Sequence, residues 1–286
     1  MPELPEVEVT KRTLEKRILS KKIIKVLIKN VNLRYKVNPG LKNLEGLFIK
    51  KIVRRSKFLI LFFNKDFVLL VHLGMTGKFL IKKNNKSLFS KRYHSDALHS
   101  KHNHIEFLFS DKTLLIYNDV RRFGFFILEN SKNINNNKFL KNLGPEPFSK
   151  KLTVNIIKNR IKESSRNIKS FLMDQKFIAG IGNIYASEIL FKSKIHPTMT
   201  AKSISSVQIK KLIKSIKEVL YSAIKDGGST IRDFMFNEDN KGNFQNKFNV
   251  YDRYGLECHI CKNKIQKLVI NLRSTYFCPK CQRKTN

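Results

Sequence analysis

Cys258, Cys261, Cys278 and Cys281 are the chain's only cysteines, and they fall as C-x2-C-x16-C-x2-C. Two tight knuckles, each presenting a pair of thiolates, can converge on one tetrahedral ion at this spacing. Paired disulfides are the alternative, but a chain expected in the cytoplasm and without other cysteines points to one Zn2+. A four-thiolate site has no open position, so such an ion is structural and not catalytic. It fixes the pose of the hairpin between the knuckles, which carries Arg273.

At 286 residues the chain has room for two domains, and its 41% hydrophobic and 28% charged residues are a globular composition. Apolar runs such as Phe58–Phe63 and 67–71 fall far short of the ~20 residues that a membrane span needs. Glu3, Glu6 and Glu8 stand where a secretory signal would be basic and then apolar, so the expected location is the cytoplasm. Lysine and arginine number 57 against 22 acidic residues, a net charge of +35 that favours a polyanionic partner such as nucleic acid. Only ~6–10 phosphate contacts suffice for strong salt-dependent DNA binding. The abundance of Lys, Asn and Ile also matches drift toward AT-rich codons, so basicity alone assigns no function.

Val7, Leu14 and Ile18 recur at intervals of seven and four, which predicts an amphipathic helix after Pro5. From 23 to 128 the pattern changes to short runs rich in Val, Ile, Leu and Phe: Ile23–Ile28, Phe58–Phe63, 67–73, 105–109, 113–117 and 124–128. Asn, Gly, Lys and Asp separate them, which suggests a β-sandwich or barrel. The Asn-rich stretch 130–137 and the turn-forming Gly144-Pro145-Glu146-Pro147 mark a boundary. Beyond it, 152–161, 183–192 and 205–225 have helical spacing, as in Leu212, Ile216, Val219 and Ala223. The expected division is an N-terminal domain over 1–130, a linker over 131–150, a helical domain over 151–250 and a cysteine-bearing module over 251–286.

Two short segments carry candidate chemistry. Gly180 and Gly182 directly precede a helical stretch at Asn183, and backbone N–H groups at such a start suit a phosphate. Plain packing glycines account for the same residues equally well. The second segment is Met1-Pro2-Glu3-Leu4-Pro5-Glu6. With Met1 removed, Pro2 is a secondary amine with a pKa near ~8, far more often neutral at pH 7 than a lysine near ~10.4. Its attack on an aldehydic sugar carbon gives an iminium, a ready electron sink, and Glu3 beside it can move protons. Pro and Glu also suit an ordinary helix start.

With these pieces stand PELPEVE at 2–8, RSKFLIL at 55–61, HLGMTG at 72–77, HNHIEF at 102–107, RRFG at 121–124, LGPEP at 143–147, LMDQKFIAGIGNIYASEILF at 172–191, GGST at 227–230 and RSTYFCPKCQ at 273–282. In this order, over nearly the whole chain, they resemble the bacterial formamidopyrimidine-DNA glycosylases, which remove 8-oxoguanine and ring-opened purines. The resemblance implies an α+β fold: an N-terminal β-sandwich led by an α-helix, then a helix–two-turns–helix domain ending in a β-hairpin zinc finger. It implies a monomer acting on damaged double-stranded DNA as glycosylase and abasic-site lyase, by β,δ-elimination through a Pro2 Schiff base. Pro2 would attack C1′, Glu3 would serve as acid and base at the sugar, and Lys57 would touch phosphate and assist elimination. Arg273 and Asn183 would grip flanking phosphates, with further backbone contacts from Lys169 and His102. Met75, Arg121 and Phe123 would fill the void left by the extruded base. Core packing is the plain alternative for Met75 and Phe123, and an edge-strand surface lysine for Lys57.

The chain departs from the family in places. Val120 precedes RRFG where the family usually has proline, and Glu163-Ser164-Ser165-Arg166 replaces a stretch in which many members carry a lysine. Arg166 is the candidate to take over that contact. The Asn-rich stretch between Gly228 and Tyr251 corresponds to a lesion-capping loop. Two rivals stand beside this reading: the sister endonuclease VIII group, disfavoured by Leu4 and RRFG, and a non-catalytic DNA-binding protein, disfavoured by Pro2, Glu3 and Lys57 together.

Overall fold

A computed structural model describes residues 1–83, 86–87, 100–229 and 242–284. It divides into two compact units, Met1–Lys141 with Gly227–Asn243, and Asn142–Asp226 with Phe244–Asn286. The sequence expectation kept 151–250 together. Instead Gly227–Asn243 groups with the first unit, where the Ser229 N–H and hydroxyl donate to Glu6 Oε1 at 2.8 and 3.0 Å. Most of the lesion-capping loop of the sequence reading, 230–241, lies outside the described residues.

The first unit opens with α1 (Leu4–Ile18), whose Val7, Leu14 and Ile18 are buried as their spacing predicts. Strands β1 (Ile23–Ile28), β2 (Ile49–Arg55), β3 (Phe58–Phe63), β4 (Phe67–His72), β5 (Lys78–Lys83), β6 (Lys86–Ser87), β7 (Asn103–Phe109), β8 (Thr113–Asn118) and β9 (Phe125–Asn130) follow. They form two antiparallel sheets, of order β1-β7-β8-β5-β6 and β2-β3-β4-β9, which makes a sandwich and not a barrel. One core joins α1 to both sheets through residues such as Ile23, Ile52, Leu61, Leu69, Phe107 and Phe126. Each such side chain contributes about 1.5–3 kcal/mol by leaving water. The expected linker begins as a short 3-10 turn, Ser131–Asn136, in which Asn130 caps the Lys132 N–H and Ile134 is buried.

The second unit holds α2 (Val154–Ile161), α3 (Ile168–Met173), α4 (Asn183–Ser193), α5 (Ser206–Lys225) and the hairpin β10 (Gln266–Ile270) and β11 (Arg273–Phe277). Ser205 and Gln208 cap α5 reciprocally. Helix α4 is buried at every position from Ile184 to Phe191, so it forms the centre of its unit. Among the described residues no helix is long and apolar enough to cross a membrane.

Candidate catalytic and DNA-binding site

Pro2 and Glu3 lead into α1, and Glu3 is its N-cap. Glu6 holds this start: its Oε2 accepts the Glu3 N–H at 2.9 Å while Oε1 binds Ser229, and Glu3 and Glu6 are both 3% exposed. Met1 in front of them is 45% exposed. Lys57 sits in the two-residue turn between β2 and β3 after Ser56, whose φ is 54°, and is buried. Arg54 pins that turn to α1, donating to Glu8 at 2.9 Å and to the Ser56 carbonyl at 3.0 Å. Burial works against ionising Glu8, but the bond and charge of Arg54, with Arg12 and Lys11, outweigh it and lower the carboxyl pKa. His72, at the end of β4, stacks on Phe125 with ring centres 5.2 Å apart. Burial above all, then the charges of Lys57 and Arg34, lower its pKa to about 4. The neutral ring accepts the Gly74 N–H at Nδ1, 3.1 Å away.

Met75 and the Arg121-Arg122-Phe123 finger share one scaffold. A Cβ on Gly74, at φ +71°, would lie 2.4 Å from the Gly124 nitrogen, and one on Gly124 would lie 1.7 Å from the Tyr117 hydroxyl. The glycines of HLGMTG and RRFG therefore let two backbones touch. Asp119, fully buried, ties them together. Its Oδ2 accepts from Tyr117 at 3.0 Å and from the Gly124 N–H at 2.8 Å, and its Oδ1 from Thr76. Thr76 in turn accepts the Arg121 N–H at 3.0 Å, and the Asp119 N–H donates to the His102 carbonyl at 3.0 Å. The finger itself is open: Phe123 is 40% exposed, and the Arg121 guanidinium lies 4.7 Å from its ring centre. This ring is not in the core, so the packing alternative fails for Phe123. Sequence reasoning missed Asp119 and Thr76.

In the second unit, Lys169 of α3 is fully buried. Its Nζ donates to Asn183 Oδ1 at 2.6 Å, Thr275 Oγ1 at 2.7 Å and the Ser274 carbonyl at 3.3 Å. Asn183 Nδ2 reaches the same Ser274 carbonyl at 3.0 Å. One ammonium thus aligns the start of α4 with the hairpin bearing Arg273, which is exposed. Gly180 has φ +89° and its N–H is held by Gln175 Oε1 at 2.8 Å, so the turn before α4 needs glycine. Arg166 is bound to protein, with Asp174 at 2.9 Å and the Ser170 carbonyl at 3.2 Å. A further unforeseen residue is Glu188, buried on α4: its two oxygens accept the Asn249, Val250 and Tyr251 N–H groups, each at 2.9 Å. The lone acid within an apolar helical run was its only sequence signal.

The four cysteine sulfurs lie within 4.8 Å of one another, with Cys258–Cys281 at 3.9 Å and Cys261–Cys278 at 3.4 Å. A Zn–S tetrahedron with bonds of ~2.3 Å has edges of about 3.8 Å, so the set fits one ion. The Cys281 N–H points to Cys278 Sγ, and Gln282 bridges the Cys278 N–H to the Ile195 carbonyl. Such outer bonds orient the ligands.

Residues 1–126 match the formamidopyrimidine-DNA glycosylase N-terminal domain, 143–235 the H2TH domain of the same enzymes, and 255–283 the zinc finger found in FPG and IleRS. The chain belongs to the formamidopyrimidine-DNA glycosylase family. The formamidopyrimidine-DNA glycosylase of Wolbachia pipientis from Culex pipiens is 41% identical over 99% of this chain and 100% of that relative. That of Hydrogenovibrio crunogenus is 38% identical over 99% of this chain and 97% of its own. Lactococcus lactis Fpg in complex with DNA containing an abasic site superposes with a TM-score of 0.87 at 37% identity, covering 99% of this chain and 100% of that one. Wild-type Lactococcus lactis Fpg bound to DNA containing N7-benzyl-Fapy-dG superposes with the same score, identity and coverage. The α+β fold expected from the resemblance, with its sandwich, H2TH helices and zinc finger, is the fold found.

Proposed function

We propose that this chain is a base-excision repair enzyme that removes oxidised purines from duplex DNA and cleaves the abasic strand. The observation that carries this reading is the helix start: Pro2 precedes a buried Glu3 whose N–H is held by Glu6, in a chain similar over 99% of its length to formamidopyrimidine-DNA glycosylases. Removal of the exposed Met1 frees the Pro2 secondary amine. Its lone pair attacks C1′, the glycosidic electron pair leaves with the base, and ring opening gives a cationic Schiff base. That iminium acidifies the C2′ hydrogen, so loss of the proton expels the 3′ phosphate, and a second elimination expels the 5′ phosphate. Glu3 supplies and accepts protons at the sugar, and Lys57 neutralises the departing phosphate.

In the first unit, Met75, Arg121 and Phe123 fill the space of the extruded base, with Arg121 facing the orphan base and His102 on the backbone. Arginine offers only donors, which suits the neighbouring O2 and N3 acceptors of cytosine; adenine sets a donor against one of them. In the second unit Arg273 and Asn183 bind phosphate, and Lys169 acts through Asn183 and Ser274. Cys258, Cys261, Cys278 and Cys281 hold the zinc, which supplies no open coordination site and serves to set the hairpin. The enzyme works as a monomer in the cytoplasm, where DNA is accessible.

Incubation with duplex containing 8-oxoguanine and borohydride tests this reading. A covalent adduct formed by the wild type and lost when the terminus is blocked supports it. Trapping with oxidised pyrimidines only would favour the endonuclease VIII alternative, and binding without any adduct the non-catalytic one.

A further inference from the structure

The β10–β11 hairpin closes on Asn271 and Leu272, with φ of 48° and 60°, because Ile270 pairs directly with Arg273. A two-residue turn left-handed at both positions is type I′, whose second residue is ordinarily glycine because a Cβ there crowds the next carbonyl. Leucine in this place is strained. It is also 98% exposed, more than any other large hydrophobic side chain among the described residues. Folding gains from it neither by conformation nor by burial.

The turn is nevertheless firmly held. Asn271 Nδ2 donates to Ser170 Oγ at 2.8 Å, anchoring the apex to α3. Two residues past Leu272, the Ser274 carbonyl accepts from Lys169 and Asn183. Leu272 is thus presented on an anchored tip immediately before the exposed Arg273, on a hairpin whose strands carry Lys267 and Arg273 and no acidic residue.

We infer that Leu272 is a DNA contact that packs against the deoxyribose next to the phosphate bound by Arg273. The inference rests on the DNA-repair reading above. Along a strand each phosphate is flanked by sugars, whose C–H edges are the apolar surface of the backbone. Adjacent residues have Cα atoms ~3.8 Å apart, so the neighbour of an arginine on phosphate lies within reach of the flanking sugar. An uncharged strand surface of a protein partner would not call for the basic hairpin around it. The contact is independent of base sequence, and because it releases no counterion it adds affinity without adding salt dependence.

The test measures Kd over a range of salt for a duplex containing a tetrahydrofuran abasic analogue, together with Tm, for the wild type, Leu272→Gly, Leu272→Met and Arg273→Ala. Leu272→Gly raises Tm by relieving the turn and weakens binding about threefold to tenfold, with the salt slope unchanged. Leu272→Met restores affinity without the gain in Tm. Arg273→Ala weakens binding and reduces the salt slope by about one. Wild-type affinity in Leu272→Gly, with Arg273→Ala impaired, overturns the Leu272 contact and leaves the DNA reading standing. Unchanged affinity in both contradicts the role of the hairpin in DNA binding itself. A fall in Tm for Leu272→Gly makes the leucine a folding element and overturns the inference.

Discussion

His72 illustrates how one buried side chain in this enzyme serves geometry by staying uncharged. Its Nδ1 must accept the Gly74 N–H, which protonation would forbid, and burial with the charges of Lys57 and Arg34 keeps the pKa at about 4. Because the folded pKa lies below the unfolded value near ~6.5, the contribution to stability is full above that value and is lost as pH falls from about 6.5 to 4. The linkage amounts to about 3 kcal/mol at most, at ~1.4 kcal/mol per pH unit. Chemical denaturation between pH 4 and 7 is expected to show this slope in the wild type and a flatter one in His72→Gln. Equal slopes would place the acid sensitivity elsewhere, for instance at His196, whose pKa is also lowered by burial.

At the scale of elements, the segment 119–124 is held in place by one buried carboxylate. Asp119 accepts from Tyr117, Thr76 and Gly124, so one carboxylate ties the loops of Met75 and Arg121 together. Single-turnover excision of 8-oxoguanine opposite C and opposite A reads its placement. The wild type is expected to favour C by roughly fivefold to hundredfold, the worth of one unsatisfied buried donor at ~1–3 kcal/mol. Arg121→Ala and Asp119→Ala should both lose the preference, and Asp119→Asn, which keeps one of the two acceptor oxygens, should retain more of it than Asp119→Ala. An Asp119→Ala enzyme with the full preference would mean that the finger holds itself. This brace was illegible in the sequence because Asp119 finds partners both near and far along the chain. The strands packed on both faces were legible, since β3 and β4 are nearly continuous apolar runs. Strand β2 was not, because lysines interrupt its apolar residues and a bulge breaks its register at Ile49/Lys51. Helix α3, at six residues, is too short for a period to emerge.

For the whole molecule, the sequence displayed the cysteine spacing and the order of motifs but not the return of Gly227–Asn243 to the first unit. Within that unit the Ser229 N–H and hydroxyl donate to Glu6, 223 residues away along the chain. The zinc site is legible because its spacing is local within each knuckle, and its consequence is confined to one unit. Chelation, or Cys278→Ser, is expected to weaken binding to duplex while the sandwich of the first unit remains folded by circular dichroism and by its own unfolding transition. Unchanged affinity after metal removal would show that the hairpin is not a binding element. The central claim concerns the other end of the chain, and borohydride trapping on 8-oxoguanine duplex addresses it most directly. The wild type, with Met1 removed as verified by mass, should form a covalent adduct that proteolysis maps to Pro2, and Pro2→Gly or a retained N-terminal tag should abolish most of it. An undiminished adduct with the blocked terminus, mapped to a lysine such as Lys57, would contradict the account.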